Sequence, residues 1–329
     1  MRRWWRAVIG AGLLASGLGL GAPGPAYATL PNLPRAGGLP AAAPLLAPLR
    51  SPLPAPDAPP PPGPPIGRID AATQARLQRV YAAGQALGRR ADVLAKVGDS
   101  ITASGAFLGD AGDGHAILGE HPELAGTITA YRAGPVDHAG GRAHNSLNRV
   151  SLAAQPGWTA ADILGGGQAG PAPLAREYAA LDPAVAVIMV GTNDLDRTGV
   201  DYFGANLAAL VDQTLQAGII PILTTIPDRT DYPEAIYRAR AFDAVIRDEA
   251  ALEHVPLIDY WTAMQALPHG GLGPDGVHPS TYATHRPASA SVTFTPEGLR
   301  YGWPLRNYLT LAMLAHLRAV VFAGGAPDP

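Results

Sequence analysis

From about residue 90 onward the chain alternates short, unbroken apolar runs with longer segments in which apolar residues recur every three or four positions. The runs Asp92–Val97, Gly126–Tyr131, Ala184–Val190, Ile219–Thr225 and Val255–Asp259 predict strands. Tyr202–Ala217 and Pro233–Glu253 carry helical spacing, and Asp70 is placed to cap a helix running to about Arg90. Strands that are apolar on both faces and joined by helical crossovers predict an α/β fold, a parallel sheet covered by helices on either side. Leu305–Phe322 reads as an amphipathic helix interrupted by Arg306, His316 and Arg318, hence a packing helix and no stable membrane span. Ahead of it, an insert at about Ser280–Trp303 alternates through Ser289-Ala290-Ser291-Val292-Thr293-Phe294 and predicts a small hairpin beside the functional site, where it would shape the pocket.

The first residues break this pattern. Met1-Arg2-Arg3-Trp4-Trp5-Arg6 is basic, Ala7–Gly21 is mostly apolar, and Ala26-Tyr27-Ala28 has the small-x-small form of a cleavage site. These features predict a signal peptide over residues 1–28, cleaved after Ala28, and therefore a secreted, extracellular protein; the Arg2-Arg3 pair leaves the export route open. Residues 29–67 are dominated by proline, which supports neither a ladder nor a helix interior, so they predict an extended linker. The remaining segment, 68–325, is long enough for one domain with a well-buried core.

Composition narrows the partners. The chain has no cysteine, so its stability owes nothing to disulfides, and its formal net charge is only −3 with no long run of either sign, which argues against a nucleic-acid partner. The only lysine is Lys96, an arginine bias that carries no chemistry of its own. Oligomeric state is not legible.

The chemistry gathers at the ends of the predicted strands. Ser100 lies in Val97-Gly98-Asp99-Ser100-Ile101-Thr102 directly after the first run, and Asp275-Gly276-Val277-His278-Pro279 lies beyond the last. A serine hydroxyl needs an imidazole to take its proton and a carboxylate to hold that imidazole in one tautomer. Asp275 and His278 are close enough for a single turn to pair them. The nucleophile elbow of α/β-hydrolases, Gly-x-Ser-x-Gly, fits less well, because Thr102 stands where its second glycine would be. Acyl transfer also needs donors for an oxyanion. Three are at hand: the Ser100 N–H, the N–H of Gly157 in Gln155-Pro156-Gly157-Trp158, and the side-chain amide of Asn193 in Gly191-Thr192-Asn193-Asp194, which follows the buried run Pro183–Val190.

Taken in order, Gly98-Asp99-Ser100, Gly157, Gly191-Thr192-Asn193-Asp194 and Asp275-x-x-His278 resemble the four signature blocks of the SGNH hydrolase family, also called GDSL esterases and lipases. The first block reads Gly-Asp-Ser-Ile in place of Gly-Asp-Ser-Leu, a conservative change. The resemblance spans about residues 90 to 322. It implies a three-layer α/β/α, flavodoxin-like sandwich on a five-stranded parallel sheet of order 2-1-3-4-5. It also implies Ser100 as nucleophile, Asp275 and His278 as its catalytic partners, and Ser100, Gly157 and Asn193 as the oxyanion hole.

The expected activity is hydrolysis of carboxylic esters through an acyl-enzyme, on small-molecule, polysaccharide or lipid esters, with carbohydrate esters favoured. An O-acyltransferase using the same triad and a non-catalytic surface-binding protein are the alternatives. No metal or organic cofactor is expected. Asp113-Gly114 with Glu120 matches only the back half of a calcium loop, since Gly109 and Ala111 occupy ligand positions. Gly165-Gly166-Gly167-Gln168-Ala169-Gly170 follows no strand and reads as a loop, not a dinucleotide site.

Overall fold

The computed structural model describes residues 65–137, 143–165 and 170–329. The expected signal peptide and nearly all of the expected linker lie outside these residues, as do positions 166–169 of the glycine-rich loop.

Among the described residues, four parallel strands form one sheet in the order β1 (Arg90–Gly98), β2 (Pro183–Met189), β3 (Ile220–Thr224) and β4 (Leu257–Ile258). The α/β class and the parallel sheet are as expected, and the strand count differs by one. All seven residues of β2 and all five of β3 are buried, which is why they read as continuous apolar runs. Helices Val200–Gln216 and Ala235–Leu252 pack on one another, and Leu124–Ala133 packs against Gly302–Leu317. The first helix, Ala71–Ala86, starts where Asp70 accepts a hydrogen bond from the Thr73 N–H.

The fifth strand is reduced to a fragment. On the free side of β1, the Gly98 N–H donates to Ala153 O and the Gln155 N–H to Gly98 O, making a single parallel bridge between Gly98 and Ala154. This is the edge at which the 2-1-3-4-5 order puts its extra strand. Pro156 and Gly157 follow immediately, so the ladder stops after one bridge.

Two local expectations are overturned. Gly126–Tyr131 is part of the helix Leu124–Ala133, because a wider frame buries Leu124, Thr127, Ile128 and Tyr131, the i, i+3, i+4, i+7 positions of one helical face. The insert forms no hairpin. Its backbone pairs with a different segment, the Ile117 N–H donating to Val292 O and the Phe294 N–H to Ile117 O. The serines that looked like the wet side of a strand are buried, Ser289 donating to His115 O at 2.7 Å and Ser291 to Asp110 Oδ2 at 2.7 Å.

The final helix is Gly302–Leu317, followed by one wide turn, Arg318–Phe322. Among the described residues, no helix is long and apolar enough to cross a membrane.

Candidate active site

Gly98 makes the turn out of β1 possible. A Cβ there would lie 2.1 Å from Met189 O on β2 and 2.5 Å from Thr102 Oγ1, so only glycine permits the two strand ends to approach. Asp99 then caps the short helix Ser100–Ala103 with Oδ1, which accepts from the Ile101 N–H at 3.0 Å. Ser100 is the first residue of that helix, where the backbone N–H has no intrahelical acceptor and is free to face a ligand.

Ser100 Oγ lies 2.9 Å from His278 Nε2, and His278 Nδ1 lies 2.7 Å from Asp275 Oδ2. The Asp275 to His278 spacing works as a local turn: Asp275 Oδ1 accepts from the backbone N–H groups of Val277 at 3.1 Å and His278 at 3.0 Å, which aims Oδ2 at the ring. Slight burial works to raise the Asp275 pKa, but the hydrogen bonds from His278 and Val277 outweigh it and hold the carboxyl below its usual range. With Asp275 ionised, Nδ1 carries the ring proton and Nε2 is left to accept from Ser100. The His278 and Asp275 side chains are 41% and 53% exposed, so the site is open to water.

The two other donor candidates come from neighbouring loops at the same end of the sheet. Gly157 follows the fragment that pairs with Gly98, and its φ of +82° suits a residue without a Cβ. Asn193 follows β2, and its side-chain Nδ2 donates to Trp158 O at 3.1 Å, using one amide hydrogen and leaving the other available.

Several supports were not legible in the sequence. Arg306, fully buried on the last long helix, donates to Ile101 O at 2.5 Å and to Thr102 Oγ1 at 2.9 Å, with its guanidinium 3.7 Å from the centre of the Phe107 ring. It therefore grips the helix that begins at Ser100 from below. Burial lowers its pKa to about 10, still high enough to keep it charged at neutral pH. Asp194 accepts from the Ala160 N–H with both oxygens, each at 3.2 Å, joining the Asn193 turn to the Gly157 loop. Burial pushes its carboxyl up to about 7, and the nearby Asp99 carboxylate adds to the rise. Asp99 is itself raised by burial, against hydrogen bonding from Ile101 and the charge of Arg306.

Among the described residues, no group of three or more His, Cys, Asp or Glu side chains is placed to hold a metal ion. The Asp113 carboxylate accepts from Asn148 Nδ2 at 2.7 Å.

The sequence model of the GDSL-like lipase/acylhydrolase family matches residues 97–283. No curated protein matches the chain. Among solved structures, a lipase/acylhydrolase from Enterococcus faecalis is 23% identical, with a TM-score of 0.45, over 68% of this chain and 95% of that one. A GDSL-like lipase from Bacteroides thetaiotaomicron is 19% identical, with a TM-score of 0.43, over 73% of this chain and 99% of that one. A catalytic mutant of Axe2, an acetylxylan esterase from Geobacillus stearothermophilus, is 19% identical, with a TM-score of 0.40, over 68% of this chain and 92% of that one. With its match running from the end of β1 through the Asp275–His278 turn, over more than half its length, the chain belongs to the GDSL-like lipase/acylhydrolase family.

Proposed function

We propose that this protein is an exported serine esterase that hydrolyses carboxylic esters through an acyl-enzyme. The observation that carries the reading is the continuous relay from Ser100 Oγ to His278 Nε2 at 2.9 Å and from His278 Nδ1 to Asp275 Oδ2 at 2.7 Å. Ser100 Oγ attacks the ester carbonyl as His278 takes its proton. The imidazolium, held by Asp275, then returns that proton to the departing alkoxide. Charge on the carbonyl oxygen is met by the N–H groups of Ser100 and Gly157 and by the Asn193 amide. Water, activated by His278, attacks the acyl-enzyme and releases the acid.

The exposure of the His278 and Asp275 side chains favours hydrolysis over acyl transfer, because water reaches the base. An open site also accommodates the bulky alcohol portion of an ester carried on a polymer or at an interface. Together with the basic, apolar, small-x-small leader over residues 1–28, this supports acylated carbohydrates or lipids as substrates, carbohydrates first, met outside the cell. The proline-rich residues 29–67 would hold the catalytic domain, 68–325, away from a surface.

The test is hydrolysis of a p-nitrophenyl ester series from acetyl to palmitoyl by the chain from Thr29 onward. Ser100→Ala is expected to abolish turnover and leave the melting temperature within a few degrees of the parent. Retained turnover in folded Ser100→Ala would sink the assignment.

A further inference from the structure

The loop after β3 touches both halves of the site. Within it, Arg229 is only 7% exposed although it lies at the open end of the sheet. Its Nη1 donates to Thr192 O at 2.9 Å and to Asp196 Oδ2 at 2.7 Å. Those partners bracket Asn193, one just before it and one three residues after. On its other edge, Nε donates to Asp231 Oδ1 at 3.0 Å and Nη2 donates to Asp231 Oδ2, a two-point fork that fixes the guanidinium plane. Tyr232 closes the cluster by donating to Asp196 Oδ1 at 2.6 Å.

The same loop continues into the acid–histidine turn. The Thr230 N–H donates to Gly276 O at 2.8 Å, and Gly276 lies between Asp275 and His278 in the chain. The Arg229–Thr230 segment thus joins the two turns, the guanidinium holding the one that carries Asn193 and the Thr230 backbone holding the one that carries the base. The Thr192 carbonyl belongs to the peptide unit whose nitrogen is that of Asn193, so a guanidinium on that oxygen fixes the peptide plane from which the side chain departs.

We propose that Arg229 is a positioning residue for catalysis, setting the Asn193 amide in register with Ser100 and the Asp275–His278 pair. It touches no reacting atom. Its effect belongs in the transition state, because oxyanion donors act on charge that develops only there, and a displacement of a few tenths of an ångström weakens them. This rests on the esterase reading above.

The experiment compares the exported-length chain, from Thr29 onward, with Arg229→Met, Arg229→Lys, Asn193→Ala and the Asn193→Ala/Arg229→Met pair on p-nitrophenyl acetate. Arg229→Met is expected to lower kcat roughly 10- to 100-fold with KM within about two-fold. Arg229→Lys, which keeps the charge and can reach Thr192 O but cannot fork to Asp231, is expected to recover part of that loss. In the Asn193→Ala background the Arg229→Met change should cost less than about two-fold, since the group it positions is already gone. An equal loss in both backgrounds, or full activity in Arg229→Met, overturns the proposal.

A second readout needs no turnover and guards against a Met variant that does not fold. The side-chain amide resonance of Asn193 should shift in folded Arg229→Lys protein, and an unmoved resonance overturns the positioning role. If folded Ser100→Ala keeps the wild-type rate, the esterase reading fails, and the resonance still decides what Arg229 does to Asn193.

Discussion

The Asn193 side-chain amide donates to the backbone carbonyl of Trp158 at 3.1 Å, so the turn after β2 holds the loop that presents Gly157. The two candidate donors for an oxyanion are therefore a coupled pair, not independent contacts. Asp194 repeats the link one residue later by accepting from the Ala160 N–H. Three hydrogen bonds thus tie residues 158–160 to residues 193–194 beside the end of β2.

Asn193→Ala removes both the proposed oxyanion donor and the hold on Trp158. The expected loss in kcat is about 10²- to 10³-fold on a short-chain ester, the size typical of one oxyanion donor, with KM changed by less than a few-fold. Steady-state kinetics on p-nitrophenyl acetate reads it. A loss carried by KM alone would place Asn193 in ground-state binding instead.

Gly98→Ala tests the packing that brings the two turns together. A Cβ 2.1 Å from Met189 O meets rigid strand backbone, which cannot swing aside as a side chain would. The expected cost is about 3 kcal/mol or more, seen as a lower urea midpoint with an unchanged slope. A midpoint equal to that of the parent would contradict the close approach.

Asp194 makes stability depend on pH in a defined direction. Its carboxyl in the folded chain holds a proton up to about pH 7, whereas in the unfolded chain it ionises near pH 4. The folded state binds the extra proton across that window, so this group's contribution to stability is present at low pH and lost as pH rises from about 4 to about 7. Asp194→Asn, which cannot ionise, should therefore gain on the wild type by a few degrees in melting temperature between pH 4 and pH 7.5. A difference that stays constant across the range would show that Asp194 titrates normally.

The site divides into parts that reading the chain reaches and parts that it does not. Asp275 and His278 are legible together because their contact is local: one carboxylate caps the turn with Oδ1 and meets the ring with Oδ2 inside a four-residue segment. The α/β class and parallel sheet are legible in β2 and β3 because strands buried on both faces must be apolar throughout. Gly126–Tyr131 misleads over six residues, since a short apolar run suits either period. Only the ten-residue frame of Leu124–Ala133 exposes the helical face.

The amino-acid sequence by itself determined the family blocks, their order and the turn that pairs Asp275 with His278, all properties of residues near one another in the chain. Tertiary structure alone decided that the fifth strand shrinks to the Gly98–Ala154 bridge, that Ser289 and Ser291 turn inward, and that two arginines brace the site. Arg306 reaches Ile101 O across 205 positions and Arg229 reaches Thr192 O across 37. These two acceptors are backbone carbonyls, which every residue carries, so no side-chain pattern marks them until the chain has folded.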